Sequence, residues 1–277
     1  MYGVDAFTSI INIITFKGNE DKGLHFSSSG GSFNTTDNTI VANIGDEDIS
    51  ISVGGKYYNS DEPFMLDYYP QEYQWYNHYK QTGEMLIFAD TLKPAIIIKN
   101  WPTPTKSYSA YVRLNYKKLD IGYSNNYESH SSSAGYPPQF AIYTNEAIYA
   151  NRIQNAYISH TLLSSNKKLG LNTTLSGQDF KTLPNSLFYN QYASYNPAFK
   201  YEHNRTVKIE EQINYQFNEK FDFVGGVSYE YADAIPKTSD LPIQYNENVP
   251  YNLQYIWYPG TNVKDTLGND LTIYQDI

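Results

Sequence analysis

The sequence predicts an all-β chain of about nine long antiparallel strands, and three observations support this fold class. Apolar residues alternate with other residues over segments of nine or more positions, while helical spacing is nearly absent. The segments are joined by two kinds of connection, short turns and long loops, which alternate along the chain. The apolar side of several segments begins or ends in an aromatic residue. Long, two-faced strands of this kind are typical of an up-and-down antiparallel meander.

The clearest predicted strand covers residues 48–58, where Ile49 and Ile51 share one face and Ser50 and Ser52 share the other. This period of two is that of an extended backbone, whose successive side chains point to opposite sides of the sheet. The same criterion, applied along the chain, predicts nine strands at 23–29, 38–44, 48–58, 108–117, 119–127, 152–163, 169–177, 206–217 and 221–232.

The connections indicate how these strands are arranged. Short turns are expected at 45–47, 117–118, 164–167 and 218–220, and longer segments at 30–37, 59–106, 128–151, 178–205 and 233–277. Short turns at one end and long loops at the other are typical of outer-membrane barrels, in which one end faces the periplasm and the other the medium. The sequence therefore favours part of a transmembrane β-barrel.

A soluble β-sandwich or propeller is the competing architecture, because it alternates in the same way and buries its apolar face in a core. However, the predicted strands exceed the ~5–6 residues typical of such strands. The aromatic ends of the apolar faces also match the girdles found at membrane interfaces. Glu211 and His160 fit the barrel poorly, because both fall on faces predicted to be apolar. Either the register differs there or these two residues lie near a rim.

Composition excludes several classes of protein. The 277 residues include no Cys, which excludes a disulfide scaffold, a thiolate metal site and a cysteine nucleophile. The formal net charge is −9 and the Lys and Arg residues are scattered, so no nucleic-acid partner is expected. No apolar run approaches the ~20 residues of a membrane-spanning helix, and the sequence as given begins with no signal peptide. The mean hydropathy of −0.56 does not argue against a barrel, because lumen-facing residues offset lipid-facing ones.

Residues 2–17 form the most specific motif. Their sequence is Tyr-Gly-Val-Asp-Ala-Phe-Thr-Ser-Ile-Ile-Asn-Ile-Ile-Thr-Phe-Lys. It resembles the end of the plug domain of TonB-dependent outer-membrane receptors, where a Tyr-Gly-x-x-Ala-x-x-Gly-Val-Ile-Asn-Ile-Ile-Thr-Lys stretch precedes the first barrel strand. The matching residues are Tyr2, Gly3, Ala6, Ile11, Asn12, Ile13, Ile14, Thr15 and a displaced Lys17. Ser9 and Ile10 replace the family's Gly-Val, which affects the local turn because Gly tolerates a positive φ and Ser does not.

The resemblance implies a domain division and a function. Residues 1–18 would be the end of the plug domain, and residues 19–277 the N-terminal portion of the barrel. Transporters of this kind close at 22 strands, so nine strands imply an incomplete barrel and a fragment of a receptor. The whole receptor would lie in the outer membrane of a Gram-negative bacterium, in contact with lipid. It would bind a nutrient such as a siderophore, an oligosaccharide or a peptide and import it with energy from the TonB complex, and a surface lipoprotein is a further partner to consider.

No catalytic, cofactor-binding or metal-binding residues are predicted, and the chain is not expected to be an enzyme. The sequence contains no nucleophile elbow, phosphate-binding loop or dinucleotide fingerprint. Residues 265–270 have only a loose likeness to a calcium loop, so a turn is favoured there. The five histidines do not show the spacing of a zinc site: His25, His78, His130, His160 and His203.

The long loops are better candidates for ligand binding. Residues 67–79 combine aromatic, amide and acidic side chains, which can stack on flat or sugar-like ligands and hydrogen-bond their edges. Further loop tyrosines are Tyr136, Tyr143, Tyr149, Tyr189, Tyr192 and Tyr195. Alternatively, these rings pack on one another and order the loops, so the ligand-binding residues stay unassigned.

Two other functions are also consistent with the sequence. A soluble or surface-attached β-protein would bind glycans through the same tyrosine-rich loops and would need no detergent. An outer-membrane barrel without energy coupling would require the plug resemblance to be accidental.

Overall fold

The alternating segments form strands, as the sequence predicts. The computed structural model describes residues 18–74, 81–87, 91–94, 102–190, 195–238 and 240–250. Its strands are β1 (Gly23–Gly31), β2 (Thr35–Gly45), β3 (Ile49–Ser60), β4 (Glu84–Ile87), β5 (Thr91–Pro94), β6 (Thr105–Tyr116), β7 (Leu119–Ser131), β8 (Ile148–Leu163), β9 (Leu169–Asn190), β10 (Asn196–Asn218) and β11 (Phe221–Ile235). β4 and β5 form a separate hairpin, and the other nine strands form one antiparallel sheet in sequence order. The prediction of nine long antiparallel strands is confirmed. The sheet is open, with β1 and β11 at its edges.

Tight turns join four pairs of strands at one end of the sheet, which we call the short-turn end. They cover residues 46–48, 117–118, 164–168 and 219–220, close to the predicted positions. In the first turn, the Asp46 carboxylate accepts hydrogen bonds from the backbone N–H groups of Asp48 and Ile49, both at 2.9 Å. These two bonds stabilise the ionised form and lower the pKa of Asp46.

The opposite end of the sheet, the loop end, holds the two long connections 61–104 and 132–147. The long loop predicted at 178–205 is wrong, because β9 and β10 continue pairing until Asn190 lies opposite Asn196. Polar residues occupy both faces of these extensions, so the apolar alternation stops although the backbone pairing continues. The expected loop at 30–37 is likewise reduced to a turn at 32–34.

Helices are short where they occur. The connection 61–104 contains α1 (Met65–Tyr68) and α2 (Pro70–Tyr73), and Pro138–Phe140 forms one 3-10 turn. Within the described ranges, no helix is long and apolar enough to cross a membrane.

One face of the sheet, the apolar face, is hydrophobic across its whole width. One row of paired residues crosses all nine strands and consists of Leu24, Ala42, Val53, Val112, Tyr123, Ala156, Gly177, Val207 and Tyr231. The next row on this face consists of Ile44, Ile51, Leu114, Ile121, Ile158, Leu175, Ile209 and Tyr229. Most of these side chains are exposed, with Ile44 at 70% and Tyr229 at 68%. An exposed apolar patch of this extent marks a surface that meets another apolar phase or a partner.

The other face, the polar face, has the opposite composition. The row between the two apolar rows consists of Gly23, Asn43, Ser52, Arg113, Gly122, Tyr157, Ser176, Lys208 and Glu230. Arg113 donates two hydrogen bonds to Asp120, at 3.0 and 2.6 Å, and the Tyr157 hydroxyl donates a third to Asp120 at 3.1 Å. The polar side chains of this face therefore satisfy one another across strands.

The apolar band slants across the sheet instead of following one row. Phe26 and Ile40 on the first two strands lie in the same row as Asp179 and Arg205 on β9 and β10, so this row changes from apolar to charged. At the other edge of the sheet, the apolar face extends to Phe221 at the short-turn end, which is 67% exposed. The band thus moves toward the short-turn end from β1 to β11. A level band that crosses tilted strands produces this displacement.

The observed strand pairing places Glu211 and His160 on the apolar face, as the sequence predicts. A difference in register therefore does not explain why these polar residues occur there. They occupy one row, on either side of Thr173. His160 is close to the short-turn end of β8, near the rim of the sheet. Glu211 lies further inside the band, where the Thr173 hydroxyl donates a hydrogen bond of 2.6 Å to its carboxylate.

Two glycines on the polar face allow tyrosine rings to lie flat against the sheet. A Cβ atom at Gly54 would come within 2.3 Å of the Tyr111 ring, and one at Gly122 within 2.2 Å of the Tyr157 ring. In each case the glycine and the tyrosine are direct cross-strand partners. Aromatic rings that cover strand glycines in this way restore packing that glycine cannot supply.

Replacing Gly122 by alanine should destabilise the sheet by about 1–3 kcal/mol, the usual cost of overpacking a well-packed site. The new methyl group would displace the Tyr157 ring and weaken its hydrogen bond to Asp120. Urea denaturation of the two proteins would measure the change. Gly122→Ala should cost less in a Tyr157→Ser background, where the clash is absent, and an equal cost in both backgrounds would contradict this explanation.

Hydrophobic residues are buried at the loop end, away from the apolar face. The buried ones among the described residues are Met85, Ala141, Ile142, Tyr143, Ala147, Ala150, Leu187, Tyr195, Ala198, Tyr201, Leu241 and Tyr245. All lie in the long connections, at the loop ends of the strands or in the segment after β11. We call this packed region the loop cap. Among the described residues, the hydrophobic core thus lies in the loop cap, and most large side chains on the apolar face of the sheet are exposed.

Candidate functional site

The two long connections pack against each other in the loop cap. Phe64, Leu66 and Tyr73 from the first connection contact Ala141 and Tyr143 from the second. The Tyr143 side chain is fully buried, and its hydroxyl lies 3.4 Å from that of Tyr73. Burial raises the pKa of Tyr143 well above its usual value. These contacts fix loop 132–147 on the first connection.

The predicted loop tyrosines divide into two groups. Tyr143 and Tyr195 are buried, at 0% and 4% exposure. Their burial agrees with the alternative that loop tyrosines pack inside the protein and order the loops. Burial raises the pKa of Tyr195 to about 12. Tyr136 is 52% exposed and, with Tyr189, lines a cavity. Residues 75–79 and Tyr192, which the sequence analysis also names, lie outside the described residues.

A cavity of about 150 Å³ lies between loop 132–147 and the tip of the β9–β10 hairpin. Four aromatic side chains and two polar ones dominate its lining, namely Tyr136, Phe140, Phe188, Tyr189, Asn190 and Asp240. Apolar walls with a few convergent polar groups are typical of small-molecule sites. This cavity is therefore the candidate ligand site.

The segment after β11 places Asp240 at the cavity by pairing with β10. Phe199 and Leu241 exchange two backbone hydrogen bonds, at 2.9 and 3.0 Å, and the Thr238 N–H donates to the Tyr201 carbonyl at 2.9 Å. Lys200 Nζ lies 2.6 Å from one Asp240 oxygen, and the Asn190 amide donates to the other. The Asp240 side chain nevertheless keeps 39% of its surface exposed. Lys200 and Asn190 therefore hold both carboxylate oxygens of Asp240, while the carboxylate stays accessible to solvent.

Other hydrogen bonds hold the walls of the cavity. The Ser132 hydroxyl donates to the Leu187 carbonyl at 2.7 Å, which ties loop 132–147 to β9. The Phe188 ring packs against the Tyr149 ring, with 6.4 Å between their centroids. Lys200 Nζ lies 5.7 Å from the centroid of the Phe188 ring. Phe188 therefore has a fixed position in the wall.

A second cluster of charged groups joins β9, β10 and the segment after β11, and its residues do not line any of the cavities described. Glu247 accepts hydrogen bonds from Lys181 at 2.6 Å and from Tyr201 at 3.0 Å. Burial of Glu247 favours its neutral form, but the bonds from Lys181 and Tyr201 outweigh burial and lower its pKa. His203 lies 2.9 Å from Asp179, so this histidine has a structural partner. No group of three or more potential metal ligands occurs among the residues that the structure describes.

Of the six main cavity residues, the sequence predicts Tyr136 and Tyr189 as candidates and misses the other four. Phe140 lies in the loop predicted at 128–151. Phe188 and Asn190 fall in the segment predicted as a loop, where their aromatic and amide character was the only available signal. Asp240 lies 50 positions beyond Asn190, and no local pattern predicts that the chain folds back along β10. Their proximity is a result of tertiary structure.

Comparison with protein-family models, with curated proteins and with solved structures finds no match to this chain.

Proposed function

We propose that the chain forms part of the barrel wall of a TonB-dependent outer-membrane receptor, with residues 1–18 as the end of its plug. The exposed, slanted apolar band is the observation that carries this proposal. In a sandwich the same face would pack on a second sheet, whereas here the described hydrophobic core lies in the loop cap. A band that shifts with strand tilt suits a bilayer that crosses tilted strands.

The position of the first described residues supports the same arrangement. Gly18 contacts the backbone of β3 so closely that a Cβ would lie 2.4 Å from the Ile51 carbonyl oxygen. Asn19 lines a cavity together with Ser50, Asn115 and Asp120, all near the short-turn end. The chain thus enters β1 from beside the polar face at the short-turn end. A plug that precedes the first strand would approach the barrel wall from that side.

In this proposal the receptor binds its nutrient at the loop end and imports it when the TonB complex acts on the plug. The nutrient is a siderophore, an oligosaccharide or a peptide, and a surface lipoprotein is a further candidate partner. The open edges at β1 and β11 pair with additional strands, since unpaired backbone groups in hydrocarbon cost several kcal/mol each. The chain itself is not an enzyme in this proposal.

A second candidate function is a soluble or surface-attached protein that binds glycans, and the aromatic cavity at the loop end favours it. The two candidates differ in what covers the apolar face. The receptor places lipid there, while the soluble protein leaves it in contact with water or with another protein.

Spin labelling tests this difference, and the absence of Cys from the chain allows single labels without background. Labels at Val112→Cys and Ile209→Cys in outer membranes should collide more often with oxygen than with a water-soluble nickel chelate. Matched labels one residue away, at Arg113→Cys and Lys208→Cys on the polar face, should show the reverse preference. The measurement is the ratio of the two collision rates by electron paramagnetic resonance.

Two results would refute membrane embedding. One is equal access of the nickel chelate to both faces, which indicates a water-exposed apolar face. The other is recovery of the full chain in the soluble fraction as a monodisperse species without detergent, which supports the glycan-binding alternative.

A further inference from the structure

We infer that the cavity between loop 132–147 and the β9–β10 hairpin binds one ring of a neutral oligosaccharide. This inference rests on the proposed function, because it selects one nutrient class from the three that the receptor could import. The argument uses the size of the cavity, its charge and the arrangement of its walls.

The size of the cavity favours a ligand that enters with one ring over a whole siderophore or a folded peptide. Sites for drug-sized ligands are typically ~300–1,000 Å³, whereas this cavity measures about 150 Å³. A volume of this size admits a single ring with its substituents. An oligosaccharide fits such a site because one unit can enter while the others extend toward the loops.

The charge of the cavity disfavours anionic ligands. Asp240 is the one charged side chain among the described lining residues. Its partner Lys200 is only 17% exposed and is already engaged with Asp240 and with the Thr238 carbonyl. A catecholate or carboxylate chelate would meet this carboxylate, and no cationic side chain occurs among the described residues that line the cavity. A neutral ligand avoids this repulsion.

The walls and the polar groups match the two surfaces of a sugar ring. Phe188 and Tyr136 line the cavity with aromatic rings, and the apolar side of a pyranose can pack on such rings. Asp240 supplies carboxylate oxygens that accept hydrogen bonds from hydroxyl groups, and the Asn190 amide donates to one of these oxygens. Asp240 is held by Lys200, so it can receive such bonds without a large movement. The site therefore combines stacking with the recognition of hydroxyl groups.

The test measures glycan binding by the full chain in detergent micelles. The probes are an array of neutral oligosaccharides of two to six units, a ferric tricatecholate and a tetrapeptide. At least one neutral oligosaccharide should bind, and Tyr136→Ala should weaken this binding at least fivefold. Tyr116→Ala is the control, because Tyr116 is a tyrosine of similar exposure, 47% against 52%, at the short-turn end, outside the cavity and outside the long loops. Phe188→Ala should weaken binding at least tenfold, while an unchanged circular dichroism spectrum shows that the variant folds.

The possible outcomes separate this inference from the proposed function. Oligosaccharide binding that depends on Tyr136 but not on Tyr116 supports the inference. Binding of the tricatecholate or the peptide alone overturns it and leaves the receptor proposal in place. The same holds if no probe binds, or if Tyr136→Ala and Phe188→Ala bind as the parent does. If the sugar binds but the spin labels report a water-exposed apolar face, the receptor proposal fails and the sugar site stands.

Discussion

Replacing Leu175 by lysine should strongly reduce stable insertion into a bilayer. Leu175 is 45% exposed on the apolar face and lies between Ile158 and Ile209 in one of its two continuous rows. A lysine at the midplane of an outer-membrane barrel costs ~2–4 kcal/mol. In the receptor that contains this chain, the free energy of unfolding from liposomes, measured by urea titration, should fall by that amount, and the folded fraction on unheated gels should decrease.

The adjacent residue provides the control for this experiment. Ser176 lies on the polar face, so Ser176→Lys introduces the same charge one position away without placing it in lipid. The new lysine would lie opposite Lys208 on β10, so we expect the free energy of unfolding to fall by about 0.2–1 kcal/mol, less than for Leu175→Lys. If both lysines reduce the free energy of unfolding equally, the apolar face does not contact lipid.

Replacing Tyr143 by alanine should separate the two long connections of the loop cap. The side chain is fully buried against Phe64, Leu66 and Tyr73, and truncation of a buried aromatic residue costs about 3–5 kcal/mol. Backbone amides of residues 61–74 and 132–147 should exchange with deuterium much faster in the variant. Membrane insertion should be unaffected, because the apolar band does not depend on the loop cap.

Tyr143→Phe is the matched substitution for this site. It preserves the packing and removes only the hydroxyl, which lies 3.4 Å from that of Tyr73. We expect the free energy of unfolding to fall by about 1 kcal/mol, which is the net contribution of an ordinary hydrogen bond. Unchanged exchange in Tyr143→Ala would show that these residues do not hold the connections together.

Most of the sheet could be predicted because the signal for its strands is local. In 48–58, for example, the alternation of Ile49 and Ile51 with Ser50 and Ser52 follows directly from the pleat of the backbone. The prediction ended too early at Gly177, where β9 continues to Asn190. From this point the strand has polar residues on both sides, and hydrophobic alternation carries no information about pairing.

For the candidate site, the sequence predicted the types of side chain but not which individual residues line the cavity. Its aromatic and amide composition is visible in the loops, but whether a tyrosine packs or faces a ligand depends on distant contacts. Tyr143 is buried because the first long connection folds over it, and Tyr136 is exposed although it lies only seven residues away. Asp240 reaches the cavity through backbone bonds to β10. Such placements are properties of the assembled fold.

Because β9 and β10 extend beyond the apolar band, part of the ligand site is ordered before a ligand binds, which lowers the entropic cost of binding. Phe188, Tyr189 and Asn190 pair in register with residues 196–198, so they belong to a hairpin and not to a free loop. Ordering the backbone of one residue costs ~1–2 kcal/mol, and these three residues lose that freedom when the protein folds. A ligand therefore meets contacts that are already ordered. Its binding should require little further loss of conformational entropy from this hairpin.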